Sequence, residues 1–252
     1  MTNLKCADII GHRGSSFLAP ENTLSAFHLG WQETTICEAD IQPTADGRLV
    51  VIHDANTART TGVRYNVCEH TLDSLKLLDA GSWKGRQWQG EPIPTLDEVL
   101  EAMPDERQIL IEMKTGADVI PELARVIEAS GKADRVQLQS FFYPACVQAR
   151  QTFPDSPVYL LVAATQELLT KVWGPPIDEI VARAVNAGLD GIGLNDTGLL
   201  TYDAVRQIHA AGLRVLVWTI DQVSDAKRLL DLEVDGVITN RPGRLRAAMA
   251  LA

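Results

Sequence analysis

The chain has 252 residues, 46% hydrophobic and 22% charged, a balance that supports a large buried core and argues against disorder. Lys and Arg number 23 against 33 Asp and Glu, for a formal net charge of −10. So acidic a chain repels polyanions, which argues against a nucleic-acid binder or a protein held on anionic membranes by bulk charge.

The opening "MTNLKCADIIGHRG" runs directly into a strand pattern over 8–12. It has no charged leader followed by an apolar stretch, and no later apolar run approaches membrane-spanning length. A cytoplasmic protein without stable membrane insertion is expected. Cys6, Cys37, Cys68 and Cys146 form no C-x-x-C pair and read as scattered reduced thiols. The first strand ends in His12 and Arg13, and "ENTLSAFHLGWQ" has helical spacing.

Two β-rich runs follow, 37–42 and 49–54, with six residues between them. That is too short for a parallel crossover, but "ADGR" suits a hairpin, and Asp46-Gly47 suits a two-residue type I′ turn. Such a turn sets Asp40 opposite His53 and puts Glu38 on the same face. Residues 55–94 are irregular and read as an insertion between the second strand and its helix. Trp83 and Trp88 are expected to pack it against the rest of the chain.

From "TLDEVLEAM" onward, helices alternate with strands at 108–113, 135–139, 158–162, 190–194, 214–218 and 235–239, and "PGRLRAAMALA" closes the chain. Thr95 and Glu98 have capping-box spacing at one helix start. Near-continuous apolar strands separated by helices imply a parallel sheet. Without the returning hairpin arm, the nine strand candidates leave eight. The expected fold is therefore a single (β/α)₈ TIM barrel over 1–252, with a β-hairpin extension of strand 2 and an insertion at about 55–94.

Several strands end in chemically capable residues. Glu38, Asp40 and Glu112 are expected to converge at the C-terminal mouth, with Arg13 and Lys114 beside them. Three converging carboxylates repel one another and lose hydration. A hard divalent cation, Mg²⁺ or Ca²⁺, relieves this better than two side-chain cations. A carboxylate–Lys/Arg network closing the barrel is the alternative. His12 and His53, flanking the cluster, suit an acid/base pair because imidazole titrates near neutral pH.

"GHRG" with "APENTLSAF", and "EADIQPTADGRLVVIHD" with "TARTTG", resemble the signature blocks of the glycerophosphodiester phosphodiesterase family. "IPTLDEVL", "IEMK", "VWTID" and "DGVITNRP" resemble later family segments in order. The resemblance implies a TIM barrel that hydrolyses small-molecule glycerophosphodiesters to glycerol 3-phosphate and an alcohol. It implies Glu38, Asp40 and Glu112 as ligands of one divalent ion, and His12 and His53 as the acid/base pair. Arg13 and Lys114 would contact the phosphate, and Trp218 would line the pocket near the glycerol.

Three positions depart from the family pattern: Thr57 in place of Leu, Asp221 in place of Asn, and Asn240 in place of Asp. None is expected to touch the ligands or the histidines, so loop packing or substrate choice is their expected reach. The alternatives to the implied activity are a phospholipase D-like enzyme acting on intact lipids and a non-catalytic barrel that binds a phosphorylated ligand.

Overall fold

The computed structural model describes residues 7–163, 176–198 and 200–250. The expectations placed on residues 1–6, including the Cys6 thiol and the missing leader, and the last two residues of the closing helix lie outside the described residues. Nine strands form one sheet: β1 (Asp8–Gly11), β2 (Ile36–Pro43), β3 (Leu49–Val51), β4 (Gln108–Met113), β5 (Val136–Ser140), β6 (Val158–Val162), β7 (Gly191–Asn195), β8 (Arg214–Trp218) and β9 (Gly236–Thr239). Every strand but β3 pairs in parallel, and β1 pairs with both β9 and β2. The sheet therefore closes into an eight-stranded barrel.

Alternation along each strand decides what faces inward. Ile10, Ile36, Leu110, Tyr159, Leu216 and Ile238 form a compact apolar layer inside the barrel. Their strand neighbours, such as Cys37, Ile109 and Val215, join the larger core between barrel and helices. Each buried aliphatic side chain of this kind stabilises the fold by about 1.5–3 kcal/mol. Two residues further along the same strands, the inward positions become His12, Glu38, Glu112 and Trp218, at the end where barrel enzymes place their chemistry.

The outer layer contains α1 (Leu24–Glu33), α4 (Leu96–Ala102), α5 (Ile120–Ser130), α6 (Tyr143–Thr152), α7 (Ile177–Asn186), α8 (Tyr202–Ala210), α9 (Val223–Asp231) and α10 (Pro242–Ala250); the shorter α2 (Ala58–Thr61) and α3 (Leu72–Lys76) lie between β3 and α4. Thr95 and Glu98 form the expected capping box at the start of α4. Helix α1 approaches the barrel at Gly30, where a Cβ would lie 2.6 Å from Cys37 Sγ, so only glycine fits that contact. No helix among the described residues is long and apolar enough to cross a membrane.

The hairpin differs from expectation by one residue. Its connection is three residues, Ala45 to Gly47: Thr44 N donates to Arg48 O at 2.9 Å and Gly47 N to Thr44 O at 3.0 Å. Gly47 has φ 76°, the left-handed residue that completes a type I turn in a three-residue hairpin. The register becomes Ile41 opposite Val51, so Ile52 rather than His53 faces Asp40, and Ile52 N donates to Asp40 O at 3.0 Å.

Residues 52–94 carry α2 and α3, and Ile52, Val67, Leu75, Ala80 and Ile93 of this segment form a small apolar cluster with Val50 of β3. Trp83 does not seal this segment to the barrel as expected. It is 42% exposed, with Nε1 donating to Ala80 O. A tie between segment and barrel is Lys84, whose Nζ donates to Ser16 O at 2.7 Å.

Candidate active site

His12 leaves β1 with its N–H bonded to Thr239 O of neighbouring β9 at 2.8 Å. The chain then turns sharply: Arg13 has φ 54° and Asn22 φ 58°, a left-handed conformation uncommon outside glycine. The turn aims Arg13 N at Glu38 Oε2, 3.0 Å away. Asn22 N donates to Arg13 O at 3.1 Å, closing the loop.

Strands β2 and β4 pair Asp40 with Glu112, and Glu38 lies one inward position below Asp40. One carboxylate oxygen from each of Glu38, Asp40 and Glu112 falls within 4.8 Å of the others. All three residues are buried. Asp40 Oδ2 accepts from Asn22 Nδ2 at 2.8 Å and lies 3.0 Å from Arg13 Nε. Lys114 Nζ lies 2.8 Å from Glu112 and 3.5 Å from Asp40 Oδ1.

The two cations do not balance the cluster. Burial, then the Asp40 and Glu112 charges, push Glu38 well above the usual carboxylate range. Burial and Asp40 raise Glu112 to about 7, although Lys114 pulls the other way. Asp40 is also penalised by burial, yet Arg13 and Lys114 hold it below its ordinary value. Asp40 Oδ1 and Gln139 Oε1 are buried without a hydrogen-bond partner among the described residues. An all-oxygen set in which a buried carboxylate oxygen accepts no hydrogen bond and has only a 3.5 Å ion pair to Lys114 fits a hard divalent cation.

The two imidazoles have unlike partners. His12 Nδ1 lies 2.7 Å from the neutral amide oxygen of Asn240. Burial and the adjacent Arg13 guanidinium push His12 down to about 4. His53 Nδ1 lies 2.7 Å from Asp54 Oδ1, a carboxylate that the Arg59 guanidinium holds down at about 2. His53 reaches the site because the chain leaves the ladder after Val51; Gln42 Nε2, on the inward face of β2, donates to His53 O at 2.9 Å.

An open cavity of about 210 Å³ lies over these groups. His12, Arg13, Glu38, His53, Glu112, Lys114 and Trp218 all line it, and Asp40 lies beneath, fully buried. The Trp218 ring meets Phe141 edge-on at 5.6 Å, giving the cavity an aromatic wall. The eight residues expected to hold the ion, move protons or contact the substrate thus come together around one cavity.

One expectation fails here. Asn240 touches His12, and Asp221 holds Asn240 through Nδ2 at 2.7 Å, so two of the three departures do reach a histidine. Thr57 behaves as expected, bonding Val63 O and Tyr65 N within its own loop. The sequence reading also passed over Asn22, Glu21 and Arg59. Glu21 pairs with Arg13 and Arg59, each at 2.7 Å, and "PENT" was the signal that could have flagged Glu21 and Asn22.

The model of the glycerophosphoryl diester phosphodiesterase family matches residues 12–244. A glycerophosphodiester phosphodiesterase of Bacillus subtilis is 33% identical, the match spanning 92% of this chain and 83% of that one. An enzyme of the same name from Caldanaerobacter subterraneus is 32% identical over 94% of this chain and 95% of its own. Among solved structures, an Oleispira antarctica phosphodiesterase in complex with its product sn-glycerol-3-phosphate superposes with a TM-score of 0.86. It is 30% identical and covers 96% of both chains.

Proposed function

Because the chain belongs to the glycerophosphoryl diester phosphodiesterase family, we propose that it hydrolyses glycerophosphodiesters to glycerol 3-phosphate and an alcohol. The observation that carries this reading is the buried carboxylate trio flanked by two imidazoles and two cations in one cavity. The product held by the Oleispira relative is of the same chemistry.

Glu38, Asp40 and Glu112 would hold one divalent ion, Mg²⁺ or Ca²⁺. Such an ion, when bound, withdraws charge from a phosphate oxygen. Arg13 and Lys114 bind the remaining phosphate oxygens and offset the charge that accumulates on them during attack. Trp218 and Phe141 shelter the carbon skeleton of the glycerol.

The imidazoles divide the proton traffic. His12, neutral at working pH and beside a neutral amide, takes the proton from the attacking hydroxyl. His53, whose Nδ1 is held by the Asp54 carboxylate, is turned to return a proton to the leaving alkoxide. The nucleophile is either water or the glycerol 2-hydroxyl, the latter through a cyclic phosphate. A 2-deoxy analogue separates them, since it can react only by the direct route.

The deciding experiment adds Mg²⁺, Ca²⁺ or Mn²⁺ in turn to cation-free protein with several glycerophosphodiesters and follows glycerol 3-phosphate release. Release with at least one ion is expected. A protein inert with every ion and every diester is not this enzyme.

A further inference from the structure

Asp221, in the loop after β8, accepts three hydrogen bonds: from Thr239 Oγ1 at 3.1 Å, Asn240 N at 2.8 Å and Asn240 Nδ2 at 2.7 Å. A carboxylate can only accept, so the NH₂ end of the Asn240 side chain must face it. The amide oxygen is thereby turned toward His12 Nδ1 at 2.7 Å, where it also accepts from Ser16 Oγ at 2.7 Å. An amide oxygen cannot donate, so the hydrogen shared with His12 sits on Nδ1. Rotating the amide by half a turn would set its oxygen against the Asp221 carboxylate and its NH₂ against the Ser16 donor.

We infer that Asp221 is a positioning residue for the reaction: through the Asn240 amide it fixes His12 with hydrogen on Nδ1, leaving Nε2 as the nitrogen that exchanges a proton with substrate. The kinetic part of this inference rests on the proposed diesterase activity; the ring assignment does not. Neither Asp221 nor Asn240 is among the described residues that line the cavity, so both act through His12.

The acid and the amide are interchangeable in principle, provided both change together. With Asp221→Asn and Asn240→Asp combined, the new carboxylate accepts from His12, from Ser16 and from the new amide at 221. The oxygen of that amide in turn accepts from the backbone N–H of 240 and from Thr239. Either substitution alone leaves a mismatch, two amides or two carboxylates face to face.

The experiment is a double-mutant cycle read by steady-state kinetics. Each single variant should lose kcat about 10-fold or more, within the ~10²–10⁴-fold worth of a whole acid/base group, with KM nearly unchanged. The combined variant should recover most of the loss once the pH is raised, because a carboxylate beside His12 moves upward the pH at which the ring becomes neutral. Single variants with wild-type kcat, or a combined variant that melts like wild type yet is no faster than the slower single, would overturn the inference. Ring ¹⁵N spectra of the wild type near neutral pH give an independent arm. Hydrogen on His12 Nδ1 supports the assignment, and hydrogen on Nε2 alone overturns it even in a protein that hydrolyses nothing.

Discussion

His12 and His53 sit in one cavity, yet one leans on an amide and the other on a carboxylate. That difference makes their replacements distinguishable. His12→Ala and His53→Ala should each lower kcat by about 10²–10⁴-fold, measured on a natural glycerophosphodiester. With a nitrophenyl leaving group, which needs no proton, the His53→Ala deficit should shrink by about tenfold or more, while the His12→Ala deficit persists. Equal deficits on both substrates would reverse or dissolve the proposed division. At this scale the sequence was most informative about residues at strand ends, because strand periodicity fixes which way such side chains point. Asn240 and Asp221 were missed as partners of His12 because their side chains meet across two loops, and nothing in a linear pattern records that encounter.

All nine strands were readable from apolar runs and their turn signals, since a barrel strand buried on both faces leaves few alternatives. The hairpin register was not. Two-residue and three-residue turns both accept Asp46-Gly47, and they differ by one residue in every cross-strand pair. His53 nevertheless reaches the cavity, because the ladder ends at Val51 and the Gln42 amide captures the departing chain. Gly47 is the hinge of this arrangement. Its φ is 76° and a Cβ there meets nothing within 4 Å, so Gly47→Val should cost about 1–2 kcal/mol from backbone strain alone, read by urea unfolding. The capping box of α4 permits a parallel test. Thr95→Ala removes the bond from Glu98 N and should cost about 1 kcal/mol, with a lowered denaturation midpoint and an unchanged slope.

Across the whole molecule, the carboxylate trio links stability to pH and, under the proposed ion binding, to divalent cations. In cation-free protein Glu112 is raised to about 7 from the usual 4.5. Between those values the folded state holds a proton that the unfolded chain has lost, so this group makes stability fall as pH climbs from about 4.5 to about 7. A divalent ion held by the trio, as proposed, would replace that proton as the neutralising charge and would bind only the folded site. Its addition should therefore raise Tm more at about pH 8 than at about pH 5, where protons compete for the same oxygens. A Tm gain that is independent of pH, or greatest in acid, would place the ion elsewhere.

The apolar layer of Ile10, Ile36, Leu110, Tyr159, Leu216 and Ile238 lies directly under the reaction chamber and stoppers the tube from below. Among the described residues the tube is thus closed beneath the site, and the cavity opens at the opposite, C-terminal end of the strands. Under the proposed hydrolysis, spent glycerol 3-phosphate leaves through the mouth by which the next diester arrives. Accumulated product should accordingly act as a purely competitive inhibitor, raising apparent KM while leaving the maximal rate untouched.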